Sequence, residues 1–268
     1  MAQILITHPA TNHWYTPIAS IKLYNEPDFE EKLWRYSSAI FEHYHVFKFK
    51  HGLTCDEIPG KLYEPDLLLV SKNFKKWVIV EVELCKTPSQ HTLDQVTCFS
   101  NPKIKPDEIA EFIVRNNPTM KSKKQNFVDC LSNYSPDLIV VLDDYSDTVF
   151  KKFYDHKKQL KICVLEVYKR PNYTFEGYRF GGDYPYQLTN SSKIEYIDEQ
   201  HFRILKKDFV NDLPASFEVK FDMAPFDVTL VKASPQKTYL KMPYHNIPSD
   251  IYLQIGKTLN DEYVIQKI

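Results

Sequence analysis

The stretch Trp77-Val-Ile-Val-Glu-Val-Glu-Leu-Cys-Lys86 constrains this chain most. It reads as a short apolar strand bounded by polar residues, and so does Tyr63-Glu-Pro-Asp-Leu-Leu-Leu-Val70 just before it. Strand alternation puts Glu81 and Glu83 on one face and Val80, Val82 and Leu84 on the other. Asp66 stands at the mouth of the preceding strand. If the two strands pair as a hairpin, three carboxylates converge where buried strands meet. Carboxylates are costly to bury unless they are paired or bound to a cation. Valines on both sides of Glu81, with Trp77 and Ile79 on its own face, argue against an edge strand with two solvated glutamates.

The chain around this stretch is long enough for one large or two medium domains, at 268 residues. With 43% hydrophobic and 26% charged residues it can bury a core, and neither disordered, collagen-like nor coiled-coil classes fit. A formal net charge of -1 leaves any polyanion site to a local patch. The five cysteines, Cys55, Cys85, Cys98, Cys130 and Cys163, are odd in number and widely spaced, which is neither a disulfide framework nor a zinc cage. The N-terminal residues lack signal-peptide character and no run is long enough to span a membrane, so the expectation is a cytoplasmic protein without membrane contact.

In order, residues 1–27 form an N-terminal arm with a short apolar run at Ile4–Ile6 and a second short strand over Ile18–Leu23. A helix-start signal follows, with Asp28 as N-cap and acids in the first turn. Leu33, Tyr36, Ala39, Ile40 and Tyr44 recur at helical spacing. His45–Lys50 alternates as a half-buried strand. Beyond the glutamates, Thr87-Pro-Ser-Gln90 is a capping box with Thr87 as N-cap. The helix it opens packs through Leu93, Val96 and Phe99, while His91 and Gln95 share another face. Helical patterns continue over Pro106–Asn116 and Lys123–Ser132, then strand, helix and strand over Asp137–Leu142, Ser146–His156 and Ile162–Val167. Basic residues from Lys151 to Arg170 read first as a solvated helix face and second as a phosphate-contacting surface.

From Pro171 the texture changes to aromatics, turn residues and short alternating runs. This predicts a smaller β-rich domain over 171–268, after a first domain over 1–170. Tyr173, Phe175, Tyr178, Phe180, Tyr184 and Tyr186 read as packing aromatics, with base stacking or an interface as the alternative. Ser135-Pro-Asp137 with Glu166-x-x-Lys169 mimics the first motif, but its strands are separated by a whole helix; we read it as the distal half of the same sheet. No Gly-rich phosphate loop or G-x-S-x-G elbow is present.

Asp66, Glu81 and Glu83 are hard oxygen donors, suited to Mg2+ or Mn2+. Pro65-Asp66 followed by Glu81-Val82-Glu83, in a helix–strand–strand–strand–helix setting over 28–168, resembles the PD-(D/E)XK restriction-endonuclease-like superfamily. That resemblance implies an α/β fold with a central mixed sheet flanked by helices. It also implies a metal-dependent endonuclease that hydrolyses phosphodiesters, in DNA more than RNA. Asp66 and Glu81 match the two motif acids. Glu83 stands where the motif has lysine, a Glu-x-Glu variant in which it binds metal or positions water, with His91 and Gln95 in support. Lys86 or Lys72 would supply a displaced cation, and Glu30 or Glu31 the upstream helix glutamate. Ile79-Val-Glu-Val-Glu83, followed by a His- and Gln-bearing helix, is loosely similar to nucleases of bacterial antiphage systems such as Shedu; nucleases of this kind are often dimers, so the resemblance implies a homo-oligomer or a part in a larger assembly. The alternative is a catalytically inactive nucleic-acid-binding or scaffold protein on the same fold.

Overall fold

A computed structural model describes residues 4–8, 11–17, 25–86, 88–158, 160–169, 176–186, 188–221, 224–234, 237–243, 251–258 and 261–268. The chain forms two units, one from Met1–His156 with Ile162–Gly181, the other from Lys157–Lys161 with Gly182–Ile268. The division therefore falls at Gly182 rather than near residue 170. The reason is a strand, β8 (Glu176–Gly182), that hydrogen-bonds to β7 (Lys161–Lys169) and so belongs with the first sheet.

The first unit is a mixed sheet with helices. β1 (Ile4–His8) and β2 (Thr11–Pro17) form an antiparallel hairpin, and β2 pairs with β7 through Thr16 and Pro17. The arm thus forms its second strand within the Pro-, Asn- and Tyr-containing stretch; the strand expected over Ile18–Leu23 falls outside the described residues. Helix α1 (Glu26–Ile40) begins earlier than expected. Asn25, not Asp28, is the N-cap, and its side chain accepts from Asp28 N at 3.0 Å. Pro27 sits in the first turn, where its missing N–H costs nothing. The buried stripe is Phe29, Leu33 and Ser37; Ala39 is exposed and Tyr44 already lies in the next strand.

Three antiparallel strands follow: β3 (Tyr44–Lys48), β4 (Leu67–Ser71) and β5 (Trp77–Glu83). Every residue of β4 and β5 is buried, as expected for the interior of a sheet covered on both faces. Helices α2 (Gln90–Ser100), α3 (Pro106–Asn116) and α4 (Lys124–Asn133) intervene before β6 (Asp137–Leu142), which lies parallel to β5 with Val78 opposite Asp137. A short 3-10 segment, Pro118–Lys123, leads into α4, and α5 (Asp147–His156) connects β6 to β7. The strand order is β1-β2-β7-β6-β5-β4-β3. The second Pro-Asp motif is structural, as read: Asp137 pairs with Lys76 at 2.8 Å at the start of β6.

The second unit is a closed barrel. Its strands are β9 (Leu188–Asp198), β10 (His201–Ile204), β11 (Ser216–Phe221), β12 (Ala224–Ser234), β13 (Lys237–Lys241), β14 (Leu253–Thr258) and β15 (Tyr263–Lys267), with helix α6 (Lys207–Asn211) after β10. The circuit runs β10-β13-β12-β11-β15-β14-β9, closed by a parallel β11–β15 contact. Phe202, Val219, Val228, Leu240, Ile255 and Ile265 fill it. Gly256 is needed where β14 crosses β9, since a Cβ there would meet Leu188 Cδ1 at 2.5 Å and Asn190 O at 2.8 Å. Lys267 and Asp183 form a buried ion pair at 2.5 Å.

The aromatics read as packing residues do pack where they are described. Tyr178 lies against Tyr36 at 4.1 Å, Phe180 meets Phe41 edge-on at 5.6 Å, and Tyr184 and Tyr186 adjoin at 4.7 Å. Tyr173 and Phe175 lie outside the described residues. No described helix is long and apolar enough to cross a membrane.

Candidate functional site

The register of three strands builds the site. Leu67 pairs with Val80, so Asp66, one residue earlier, stands level with Glu81, one residue later. Glu81 and Glu83 share the face opposite Val80 and Val82, as alternation required. Asp66 is anchored by its own sheet, accepting from Val82 N through Oδ2 at 2.8 Å. All three carboxylates are buried.

Helix α2 supplies their partners. Gln95 Nε2 donates to Glu81 Oε1 at 2.5 Å, and Thr92 Oγ1 donates to Glu83 Oε1 at 2.9 Å. The helix is started by Ser89, not Thr87: Ser89 Oγ accepts from Thr92 N at 3.1 Å, and Thr87 itself lies outside the described residues. This cap aims Thr92 at Glu83, and the next turn aims Gln95 at Glu81. His91 is not brought in. It is exposed and lies against the Tyr63 ring at 5.4 Å, with no hydrogen bond to Asp66, Glu81 or Glu83. Spacing of four made His91 and Gln95 neighbours, but the buried seam of the helix runs through Thr92, Gln95, Val96 and Phe99, one step round.

Helix α1 and the residues just after β3 bring the other charges. Lys50 Nζ bonds Asp66 Oδ1 at 2.6 Å and Glu30 Oε1 at 3.1 Å. Of the two helix glutamates, Glu30 is the one that reaches the lysine bonded to Asp66; Glu31 turns away to Lys48 at 2.8 Å. The cation that pairs with Asp66 is Lys50, neither of the expected lysines, although the charge of Lys86 also acts on Glu83 and favours its ionised form. Lys86 pairs with Glu26 at 3.1 Å, and Lys72 belongs to the β4–β5 turn at the far end of the strands, its N bonding His43 O at 3.0 Å. Lys50, Thr92 and Glu26 were missed. The antiparallel β3–β4 register, Lys48 opposite Leu67, would have flagged Lys50, because it puts the end of that run beside Asp66.

The electrostatics are those of carboxylates short of positive charge. Burial pushes Glu81 well up, and the neighbouring Asp66 and Glu83 push it further. Burial raises Glu83 to about 7, against the Thr92 hydrogen bond that favours its charged form. Asp66 is raised by burial, with Lys50 opposing. Glu81 Oε2 is buried with no hydrogen-bond partner, an expensive vacancy for a polar atom. That orphan oxygen and the all-oxygen donor set match a hard divalent cation in kind. They do not form a ready-made cage: among the described residues no group of three His, Cys, Asp or Glu side chains is placed to hold a metal ion. Asp66 accepts one hydrogen bond on each oxygen, from Lys50 and Val82, so an ion shared with Glu81 would compete with the Lys50 ammonium for the same carboxylate.

Comparisons of the chain with protein-family models, with curated proteins and with solved structures found no match.

Proposed function

We propose that the first unit is a metal-dependent phosphodiesterase of the restriction-endonuclease-like kind, acting on nucleic acid and on DNA before RNA. The observation that carries this reading is Glu81 Oε2, a buried carboxylate oxygen without a partner, between two other buried carboxylates. A fold gains nothing in stability from such a grouping, whereas a site for a cation and a phosphate needs it. The succession of α1, three antiparallel strands, α2 and a strand parallel to β5 supports the same reading.

Asp66 and Glu81 would hold Mg2+ or Mn2+ across the two strands, with Glu83 alongside. The chemistry such an ion supplies is polarisation of a phosphoryl oxygen and a lowered pKa for water. Gln95 fixes the Glu81 carboxylate through Oε1 and leaves Oε2 facing the site. Glu83 is raised to about 7 by burial in the metal-free site; beside a bound cation it would be ionised, which suits it to take a proton from water. Lys50, once released from Asp66, offers its ammonium to a phosphate.

The test is cleavage of plasmid, linear duplex, single strands and RNA with Mg2+ or Mn2+, beside Asp66→Asn and Glu81→Gln. Each substitution should lower the rate by at least about a hundredfold, a loss of roughly 2.7 kcal/mol of transition-state stabilisation. Cleavage persisting in both variants would refute the assignment. A second reading, a nucleic-acid-binding or scaffold module without catalysis, is favoured by one contact: the Lys50 ammonium already occupies Asp66. Absence of cleavage together with retained nucleic-acid binding would select it.

A further inference from the structure

The far end of the same strands carries a second concentration of charge, of opposite sign. Ser71–Lys76 turns β4 into β5, and Ser71 Oγ accepts from both Lys75 N and Lys76 N at 3.0 Å. Phe74 takes a left-handed backbone, φ 57°, which a bulky residue adopts only when its surroundings hold it. What holds it is an aromatic cluster: its ring lies 5.3 Å from Phe127 of α4 and 5.7 Å from His45 of β3. This fixes the turn beside the start of α4, where Lys123 Nζ comes within 3.4 Å of His45 Nε2. An ammonium has only donors, so the imidazole accepts there and is neutral.

The arrangement is electrostatically unbalanced. Burial and the charges of Lys123 and Lys72 all depress the His45 pKa, and no acid counters them. Several other lysines of this unit are matched, as in Lys48–Glu31, Lys61–Asp94 and Lys76–Asp137. Among the described residues Lys72 and Lys123 form no ion pair. The first turn of α4 holds no acid either, although that is the position where acids are favoured. Acids do stand on the neighbouring residues, but with their own partners: Asp137 pairs with Lys76 of the same turn, Glu111 with Lys124, and Glu42 lies 3.5 Å from His43 on the approach to β3.

We propose that Lys72, Lys123 and His45 form a phosphate-binding subsite that grips the nucleic-acid backbone away from the scissile bond. It extends the nuclease reading and rests on it for the choice of nucleic acid over other polyanions. Six residues of extended strand separate Lys72 from Asp66, so the two ends lie about 20 Å apart at ~3.3 Å per residue. That is roughly six base-pair steps of duplex, so one molecule can reach both.

The experiment is fluorescence anisotropy of the full chain with a labelled duplex of about 20 base pairs, in EDTA so that binding is read without cleavage. Lys72→Glu/Lys123→Glu should weaken binding at least about tenfold, and Lys72→Gln/Lys123→Gln should make the log–log salt dependence shallower by about 2. Relief of like-charge repulsion should leave the melting temperature of the Gln pair unchanged or raised, which separates lost binding from lost fold. Adding the duplex should raise the His45 pKa, read from its imidazole carbon shift. Parent-like duplex binding in both double variants would overturn the proposal, and so would losses confined to phosphatidylserine vesicles. Patch-dependent binding without cleavage would remove the nuclease reading and leave this site standing. Cleavage with patch-independent binding would do the reverse.

Discussion

Glu83 sits where two demands meet: burial, which keeps its proton on, and the Thr92 hydroxyl, which favours its charge. Its folded pKa of about 7 lies above the ordinary carboxylate value, so between about 4.5 and 7 the folded state holds a proton the unfolded state has released. The folded state then binds more protons, and stability falls as pH rises through that window. Asp66 and Glu81, also raised, act in the same direction. Urea denaturation across pH 4 to 8 (about one transition per half unit) should show this decline, and Glu83→Gln should flatten it. Mg2+ that binds the folded state should restore stability on the alkaline side. Lys50→Met should steepen the decline and lower stability near neutral pH by about 1 kcal/mol, a modest figure because Lys50 is half exposed. Reading Glu81 and Glu83 as one face needed only the period of a strand. Choosing Lys50 over Lys72 and Lys86 needed the β3–β4 register, which no local pattern in the chain specifies.

Helix α2 is where element and site are most tightly joined. Its Ser89 cap, its Thr92 and its Gln95 form one line from the helix start to the glutamates. Ser89→Ala should cost about 1 kcal/mol, measured by denaturant titration, as for other lost caps. It should also lower any cleavage rate, because the same first turn aims Thr92 at Glu83. The helix as an element was legible from the cluster of Thr, Pro, Ser and Gln before an apolar period. Its rotation was not: a cap at Thr87 or at Ser89 satisfies the same local chemistry, and burial selected the second. The same happened in α1, where Asn25 displaced Asp28 as cap and Phe29, Leu33 and Ser37 became the buried stripe.

At the scale of the whole molecule, the two units hold their charges differently. The sheet unit keeps carboxylates short of cations, whereas the barrel unit neutralises its buried Lys267 with Asp183 at 2.5 Å. Removing one partner of a buried pair strands the other, so Lys267→Met should destabilise the barrel by about 3–5 kcal/mol. Replacing both Lys267 and Asp183 by apolar residues should recover most of that loss. Because neither Lys267 nor Asp183 shares a hydrogen bond or ion pair with the carboxylate cluster, Lys267→Met should leave the pH dependence tied to Glu83 unchanged.

The division of information follows from range. Alternation over Trp77–Glu83, continuous apolar runs and turn chemistry are properties of a few consecutive residues. They suffice for the buried strands, the helices α3 and α4, the succession of short strands after residue 188 and the pairing of Asp66 with the Glu81–Glu83 face. Closure of those strands into a barrel depends on β11 meeting β15 in parallel, which joins segments far apart in the chain. The assembly of Lys50, Glu30, Thr92 and Gln95 around three carboxylates likewise depends on strand register and helix rotation. Both are decided by which surfaces bury best against one another, and so only in the folded molecule. The opening acid-x-acid strand marked the place; the tertiary structure decided that Gln95 and Thr92 hydrogen-bond its glutamates and that Lys50 pairs with Asp66, while Lys86 acts on Glu83 only through its charge and His91 and Lys72 stay apart.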